Sequence, residues 1–174
     1  GYFTGTALIP SVASYDNPPP PVAAPPWVLN VPRLGLTSQA KAGDPRFVTD
    51  SGHSWHWTGT GYMGQEAHVA LFAHRTEYGG PYRYLHTMVV GDAFTVTTGD
   101  NRVYTYRMVG RDLTNNQTAN ILAATRFHPG TTLSLIACTV GWDSSKSAYP
   151  DAWAPTSLKY RIVVTGELIE WHEL

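Results

Sequence analysis

The 174-residue sequence has a single cysteine, Cys138. That excludes an internal disulfide and any structural zinc site built on two or more thiolates. Charge of either sign is scarce: 12 basic residues oppose 13 acidic ones, and charged side chains make up 14% of the chain. The near balance removes the electrostatic case for binding nucleic acid or an anionic membrane surface. No run of about 18 apolar residues occurs, so no segment reads as a membrane span. Internal repeats are absent too. The sequence is rich instead in turn formers and rings, with 16 glycines, 13 prolines, six tryptophans, ten tyrosines and five phenylalanines. At this length the chain reads as one domain, and the composition favours a turn-rich β protein over a helical bundle.

Residues 1–26 differ from the rest. The stretch Asn17-Pro18-Pro19-Pro20-Pro21-Val22-Ala23-Ala24-Pro25-Pro26 lacks the amide donors that a central strand or helix needs, so it reads as polyproline II or irregular chain. The expected division is a proline-rich extension over 1–26 and one β-barrel domain over 27–174. Gly1 in place of Met, with no signal-peptide pattern, reads as the start of a trimmed chain.

From Trp27 the chain reads as short strands. Ala67–Ala73 is mostly apolar. Ala93–Thr98 and Arg102–Val109 flank a hairpin signal at Gly99-Asp100-Asn101, and Thr131–Cys138 and Tyr160–Leu168 supply two more strands. Pro81–Met88 and Thr118–Arg126 read as short helices. The pattern points to an all-β, closed or nearly closed antiparallel barrel with one or two short helices.

Several motifs have bland readings. Gly59-Thr60-Gly61-Tyr62-Met63-Gly64 matches a dinucleotide fingerprint but precedes a strand rather than opening a helix, so these are read as turn glycines. His53 and His56 lack a third ligand, which favours packed or surface histidines over zinc. Asn116-Gln117-Thr118 matches a glycosylation acceptor, a pattern short enough to recur by chance.

Three strand ends carry more chemistry. Cys138 closes Leu133-Ser134-Leu135-Ile136-Ala137, His74 closes Val69-Ala70-Leu71-Phe72-Ala73, and Arg161 precedes Ile162-Val163-Val164. A thiol needs a neighbouring base or cation to become a nucleophile. A guanidinium is a permanent donor to a developing oxyanion. The competing reading for the cysteine is a small buried hydrophobe, and for the other two a surface histidine and a surface arginine.

Taken together, these segments resemble the sortases, cysteine transpeptidases of Gram-positive bacteria. Trp27–Leu34 resembles the first sortase strand. His56-Trp57-Thr58-Gly59-Thr60-Gly61-Tyr62-Met63-Gly64-Gln65 resembles an actinobacterial His-Trp-Pro-Gly-Thr stretch. Ala73-His74-Arg75-Thr76 resembles Gly-His-Arg-Thr, Ser134-Leu135-Ile136-Ala137-Cys138 resembles Thr-Leu-x-Thr-Cys, and Tyr160-Arg161-Ile162-Val163-Val164 resembles the strand bearing the family arginine. Order and spacing agree over nearly all of residues 27–168, with a flavour of class E or class F. The departures are Ala73 for glycine, Ser134 for threonine, Ala137 for the threonine before the nucleophile, and Thr58 and Met63 for prolines.

The resemblance implies a sortase-like barrel of about eight strands, with Cys138, His74 and Arg161 as catalytic residues. It implies substrate contacts by Ser134, Ile136, Ala137 and Tyr78, and neither cofactor nor metal. The implied substrate is a Leu-Pro-x-Thr-Gly or Leu-Ala-x-Thr-Gly sorting-signal peptide of a secreted surface protein, passed to an amine of a peptidoglycan precursor or a pilin. Action on the extracellular face of the membrane is implied, with an N-terminal membrane helix ahead of Gly1. The alternatives are a catalytically silent peptide-binding module, which Ala137 keeps open, and a hydrolytic cysteine protease. Segments Thr114–Gly130 and Glu77–Tyr84 are expected to set specificity, and the 1–26 leader to cover part of the groove or to strap the barrel's back.

Overall fold

The computed structural model describes residues 6–7, 22–65, 67–139 and 159–174. Strand β1 is Thr6–Ala7. Alternation builds the wall: in β2 (Trp27–Val31), Trp27, Leu29 and Val31 are buried while Val28 and Asn30 face out. Pro32 lacks an amide donor and ends this strand short of Leu34. The chain turns through a 3-10 helix, Pro32–Leu34, closed by Gly35 in a left-handed conformation (φ 59°). Strand β3 (Leu36–Lys41) follows. The next element, helix α1 (Pro45–Asp50), has a regular start: the Asp44 carboxylate accepts the Phe47 N–H at 2.8 Å, and Pro45 opens the first turn.

The remaining elements are β4 (Ser54–His56), β5 (His68–Phe72), β6 (Ala93–Thr97), β7 (Arg102–Asn115), α2 (Thr118–Thr125), β8 (Thr132–Thr139) and β9 (Tyr160–Glu173). The order β9-β7-β6-β2-β3-β4-β5-β8 closes through a β8–β9 pairing, giving an eight-stranded barrel. Two pairings, β3–β4 and β5–β8, are parallel. The barrel is therefore mixed, not antiparallel throughout. Side-chain alternation specifies which face is buried but not strand direction, so the crossovers were invisible in the pattern.

Of the two expected helices, Thr118–Arg126 forms as α2. Pro81–Met88 is a run of turns ending in a 3-10 helix, Leu85–Thr87. Tyr82, Leu85 and Met88 are buried there at three-residue spacing, a repeat that suits the tighter helix.

The inner face packs Leu29, Val69, Leu71, Phe94, Tyr106, Leu133, Leu135 and Val164 into the main core. Outside the barrel, α2 sets Ile121 over Ala70, Ile136 and Val163. Strand β8 is thus covered on both sides, and all eight of its residues are buried. No helix among the described residues is long and apolar enough to cross a membrane.

Most of the leader lies outside the described residues. Thr6–Ala7 pairs with Trp171–His172, at the opposite end of β9 from Arg161. Near the barrel, the Trp27 indole N–H donates to the Ala23 carbonyl at 2.8 Å.

At Gly166, β9 passes close against the Phe94 ring. A Cβ there would lie 2.4 Å from Phe94 Cζ and 2.7 Å from its Cε1, and that ring is itself stacked 5.9 Å from Tyr106. Gly166→Ala should therefore cost about 1–3 kcal/mol through overpacking and lower the thermal midpoint. An unchanged midpoint in calorimetry would show that the ring moves aside freely.

Candidate active site

Two strand registers decide which side chains meet. On one edge of β8, Cys138 is the direct antiparallel partner of Arg161, a relation that brings the two Cβ atoms to within about 4.5–5.5 Å. On the other edge, β5 runs parallel with Phe72 opposite Ile136, and the Ala73 N–H donates to the Ile136 carbonyl at 3.2 Å. His74 consequently comes abreast of Cys138. The three expected residues open on one cleft of about 470 Å³, lined by Phe72, His74, Arg75, Thr76, Glu77, Cys138 and Arg161.

The segment after His74 folds back on itself. Tyr78 (φ 50°), Gly79 (φ 86°) and Gly80 (φ 52°) are consecutive left-handed residues. A Cβ at Gly80 would strike the Arg75 carbonyl at 2.5 Å, so only glycine fits that position. The loop is pinned where the Tyr82 N–H donates to the His74 carbonyl at 3.1 Å. A buried hydroxyl chain, Tyr82 to Ser54 at 2.8 Å and Ser54 to Ser38 at 2.9 Å, anchors it to β4 and β3.

His74, Arg75 and Arg161 are each held by neighbouring groups. His74 Nε2 lies 2.8 Å from Asp50 Oδ1 on α1, and its ring sits 5.0 Å from that of Tyr78. The Arg161 guanidinium carbon is 5.7 Å from the Phe72 ring centroid, and its NH1 donates to the Tyr160 carbonyl at 2.9 Å. Arg75 is buried, with NH1 donating to Thr139 Oγ1 at 3.2 Å. Among the described residues no hydrogen bond joins His74 to Cys138.

Cys138 is 7% exposed. Burial pushes its thiol pKa up, Arg161 pulls it down, Glu77 pushes it up and Arg75 pulls it down, with burial the largest effect. The net shift is upward, so the thiol form dominates at neutral pH.

Not every expected residue reaches the cleft. Ser134 is buried and bonded to Thr165 at 2.7 Å. Ile136 is covered by α2, and alternation sends Ala137 into the barrel interior. None of these three side chains lines the cleft, which opens beyond them. Tyr78 is 54% exposed beside His74. Helix α2, within the expected specificity segment, supports the floor of the cleft through packing on Ile136 with Phe72 alongside.

Asp50, Arg75 and Glu77 were not singled out in the sequence. Asp44-Pro45 is a legible helix start, but nothing local ties Asp50 to a histidine 24 residues away. His56 is a packed residue: its ring lies 5.1 Å from Trp27 and 5.4 Å from Tyr62, its Nε2 is 3.0 Å from the Gly61 carbonyl, and burial lowers its pKa. The glycine-rich stretch is a loop between β4 and β5, where Gly59 (φ 92°) and Gly64 (φ 80°) are left-handed. A Cβ at Gly61 would lie 2.3 Å from that of Ala67. Among the described residues no three His, Cys, Asp or Glu side chains gather into a metal site.

The Sortase domain family model matches residues 29–169. In structure the chain is similar to sortase E1 from Streptomyces coelicolor, solved with a tripeptide in its active site, at 23% identity and TM-score 0.69, covering 87% of this chain and 94% of that one. It is also similar to the SrtA sortase from Actinomyces oris at 20% identity and TM-score 0.68, covering 91% and 89%. For sortase E from Streptomyces avermitilis the values are 20% and 0.66, covering 88% and 93%. At these identities the structural likeness is one of fold. No curated protein matches the sequence.

The charges around Cys138 make its titration testable. Glu77→Gln removes a negative charge that disfavours the thiolate, so it should lower the thiol pKa and speed alkylation by iodoacetamide at neutral pH. Arg161→Gln should do the opposite. The pH profile of alkylation measures both shifts, and identical profiles would place these charges too far from the sulfur to matter.

Proposed function

The chain belongs to the sortase family of cysteine transpeptidases, and on that premise we propose that Cys138, His74 and Arg161 carry out the transfer of a sorting-signal peptide to an amine. The observation that carries this reading is the meeting of a strand-end thiol, its directly paired arginine and a histidine on one cleft.

The steps follow from those groups. The proton of Cys138 passes to His74, and the thiolate Sγ attacks the threonine carbonyl of a Leu-Pro-x-Thr-Gly or Leu-Ala-x-Thr-Gly signal. The carbonyl electrons move onto oxygen, where the Arg161 guanidinium donates to the oxyanion. Collapse breaks the Thr–Gly bond, and His74 gives its proton to the departing glycine nitrogen. A thioacyl-enzyme remains. The acceptor amine, from a peptidoglycan precursor or a pilin, then attacks the thioester, loses a proton to His74 and displaces the Cys138 sulfur as thiolate, which takes that proton from His74. The product is a new amide.

The raised thiol pKa fits this cycle, since the thiolate is needed only once substrate is in place. Tyr78 touches the peptide in this reading, and its exposure beside His74 supports that. In this reading residues 27–174 are the catalytic domain, residues 1–26 lead into it, and the reaction takes place at the outer cell surface.

Incubation with both signal peptides and an amine, followed by mass spectrometry, tests the proposal. Transpeptidation product is the expected result. Hydrolysis alone would make the chain a protease, and no turnover would make it a silent binding module. Cys138→Ala should abolish product while preserving the fold. His74→Ala should cost about 10²–10⁴-fold and Arg161→Lys about 10²-fold or more, because a point charge does not reproduce a forked donor. Near wild-type turnover in the lysine variant would make Arg161 structural.

A further inference from the structure

We infer that Asp50 is a positioning residue for catalysis, holding the His74 imidazole so that Nδ1 is the atom that exchanges protons in the cleft. The inference rests on the reading of His74 as the acid–base group.

Three observations support it. A carboxylate only accepts hydrogen bonds, so Nε2, 2.8 Å from Asp50 Oδ1, must carry the proton. That leaves Nδ1 as the atom able to take or give a proton elsewhere. The ring is also held on its face, 5.0 Å from the Tyr78 ring at an angle of 33°, so two separate contacts fix its orientation. Finally, Asp50 contributes little to its own helix. It is the last residue of α1, where a carboxylate meets the negative end of the peptide dipoles. Among the described residues no other basic side chain pairs with it.

The arrangement has a chemical consequence. When the ring accepts the proton of Cys138 or of the incoming amine, the positive charge appears against a carboxylate already in contact. Asp50 touches neither substrate nor sulfur in this scheme, and its whole effect passes through His74. Residues 24 positions apart are joined because α1 lies against β4 while His74 follows just after β5, the partner of β4. A side-chain exposure of 34% at Asp50 keeps substitution there compatible with folding.

A double-mutant cycle isolates the coupling. Asp50→Ala and Asp50→Asn are made in the wild-type and His74→Ala backgrounds. Iodoacetamide alkylation of Cys138, peptide kcat and KM, and the thermal midpoint are measured for each. Asp50→Ala should slow alkylation and lower kcat by about 10- to 100-fold, a share of the ~10²–10⁴-fold that general acid–base catalysis provides, with KM and midpoint unchanged. Asp50→Asn, whose amide oxygen still accepts from Nε2–H but carries no charge, should recover only part of the loss. With His74 already replaced, Asp50→Ala should slow alkylation by less than about 3-fold. Equal losses in both backgrounds, or no loss with His74 present, would overturn the inference. If wild-type protein turned over neither signal peptide yet its alkylation showed the coupling, the transpeptidase reading would fail and the Asp50–His74 relation would stand.

Discussion

Strand β8 is hydrogen-bonded along one edge to the parallel β5 and along the other to the antiparallel β9. Its inward side chains, Leu133, Leu135 and Ala137, join the barrel core, and its outward Ile136 lies under α2. A strand enclosed on both faces and both edges has no freedom to slip, since a one-residue shift would exchange its core and outer side chains. That constraint closes the barrel. It also determines the neighbours of Cys138, because the two registers that satisfy the backbone of β8 bring Arg161 and His74 to its end. The cleft is a by-product of barrel closure, and its precision derives from the core.

Burial and charge oppose each other in that cleft. Cys138, 7% exposed, is held mainly as thiol, while Arg161 and Arg75 favour the thiolate and Glu77 resists them. The two cations are held differently. Arg161 lies against the Phe72 ring at the cleft wall, whereas Arg75 is buried with a hydrogen bond to Thr139, the residue after the cysteine. Burying a guanidinium is costly unless its donors are met, so Arg75 ties the loop after β5 to the end of β8. The same loop reverses through three left-handed residues and is pinned by Tyr82 to His74. The backbone around His74 is thereby pinned, and its imidazole is in contact with groups from α1 and from the loop itself.

Strand placement, the hairpin at Gly99-Asp100-Asn101 and helix α2 were readable from period-two alternation, turn chemistry and composition. So was the trio His74, Cys138 and Arg161, because each closes or opens an apolar strand and their order resembled that of a known family. The parallel pairings were not readable, since alternation carries no direction. The helix read over Pro81–Met88 is only a 3-10 turn at Leu85–Thr87; three- and four-residue spacings are hard to separate over so few residues. The substrate contacts of Ser134, Ile136 and Ala137 were implied by the family motif that ends at Cys138, and the motif does not say which of its side chains reach the cleft. In a strand such neighbours point to opposite faces or lie beneath a covering helix.

What the sequence by itself determined was local: which segments extend, which face of each is apolar, and which residue types stand at strand ends. The relation between Asp50 and His74, the burial of Arg75 and the upward pressure on the Cys138 thiol were decided only by tertiary structure. The reason is physical. Periodicity and turn propensity act between residues a few positions apart, whereas a charge or a hydrogen bond acts across space, between elements whose separation in the chain says nothing about their distance in the fold.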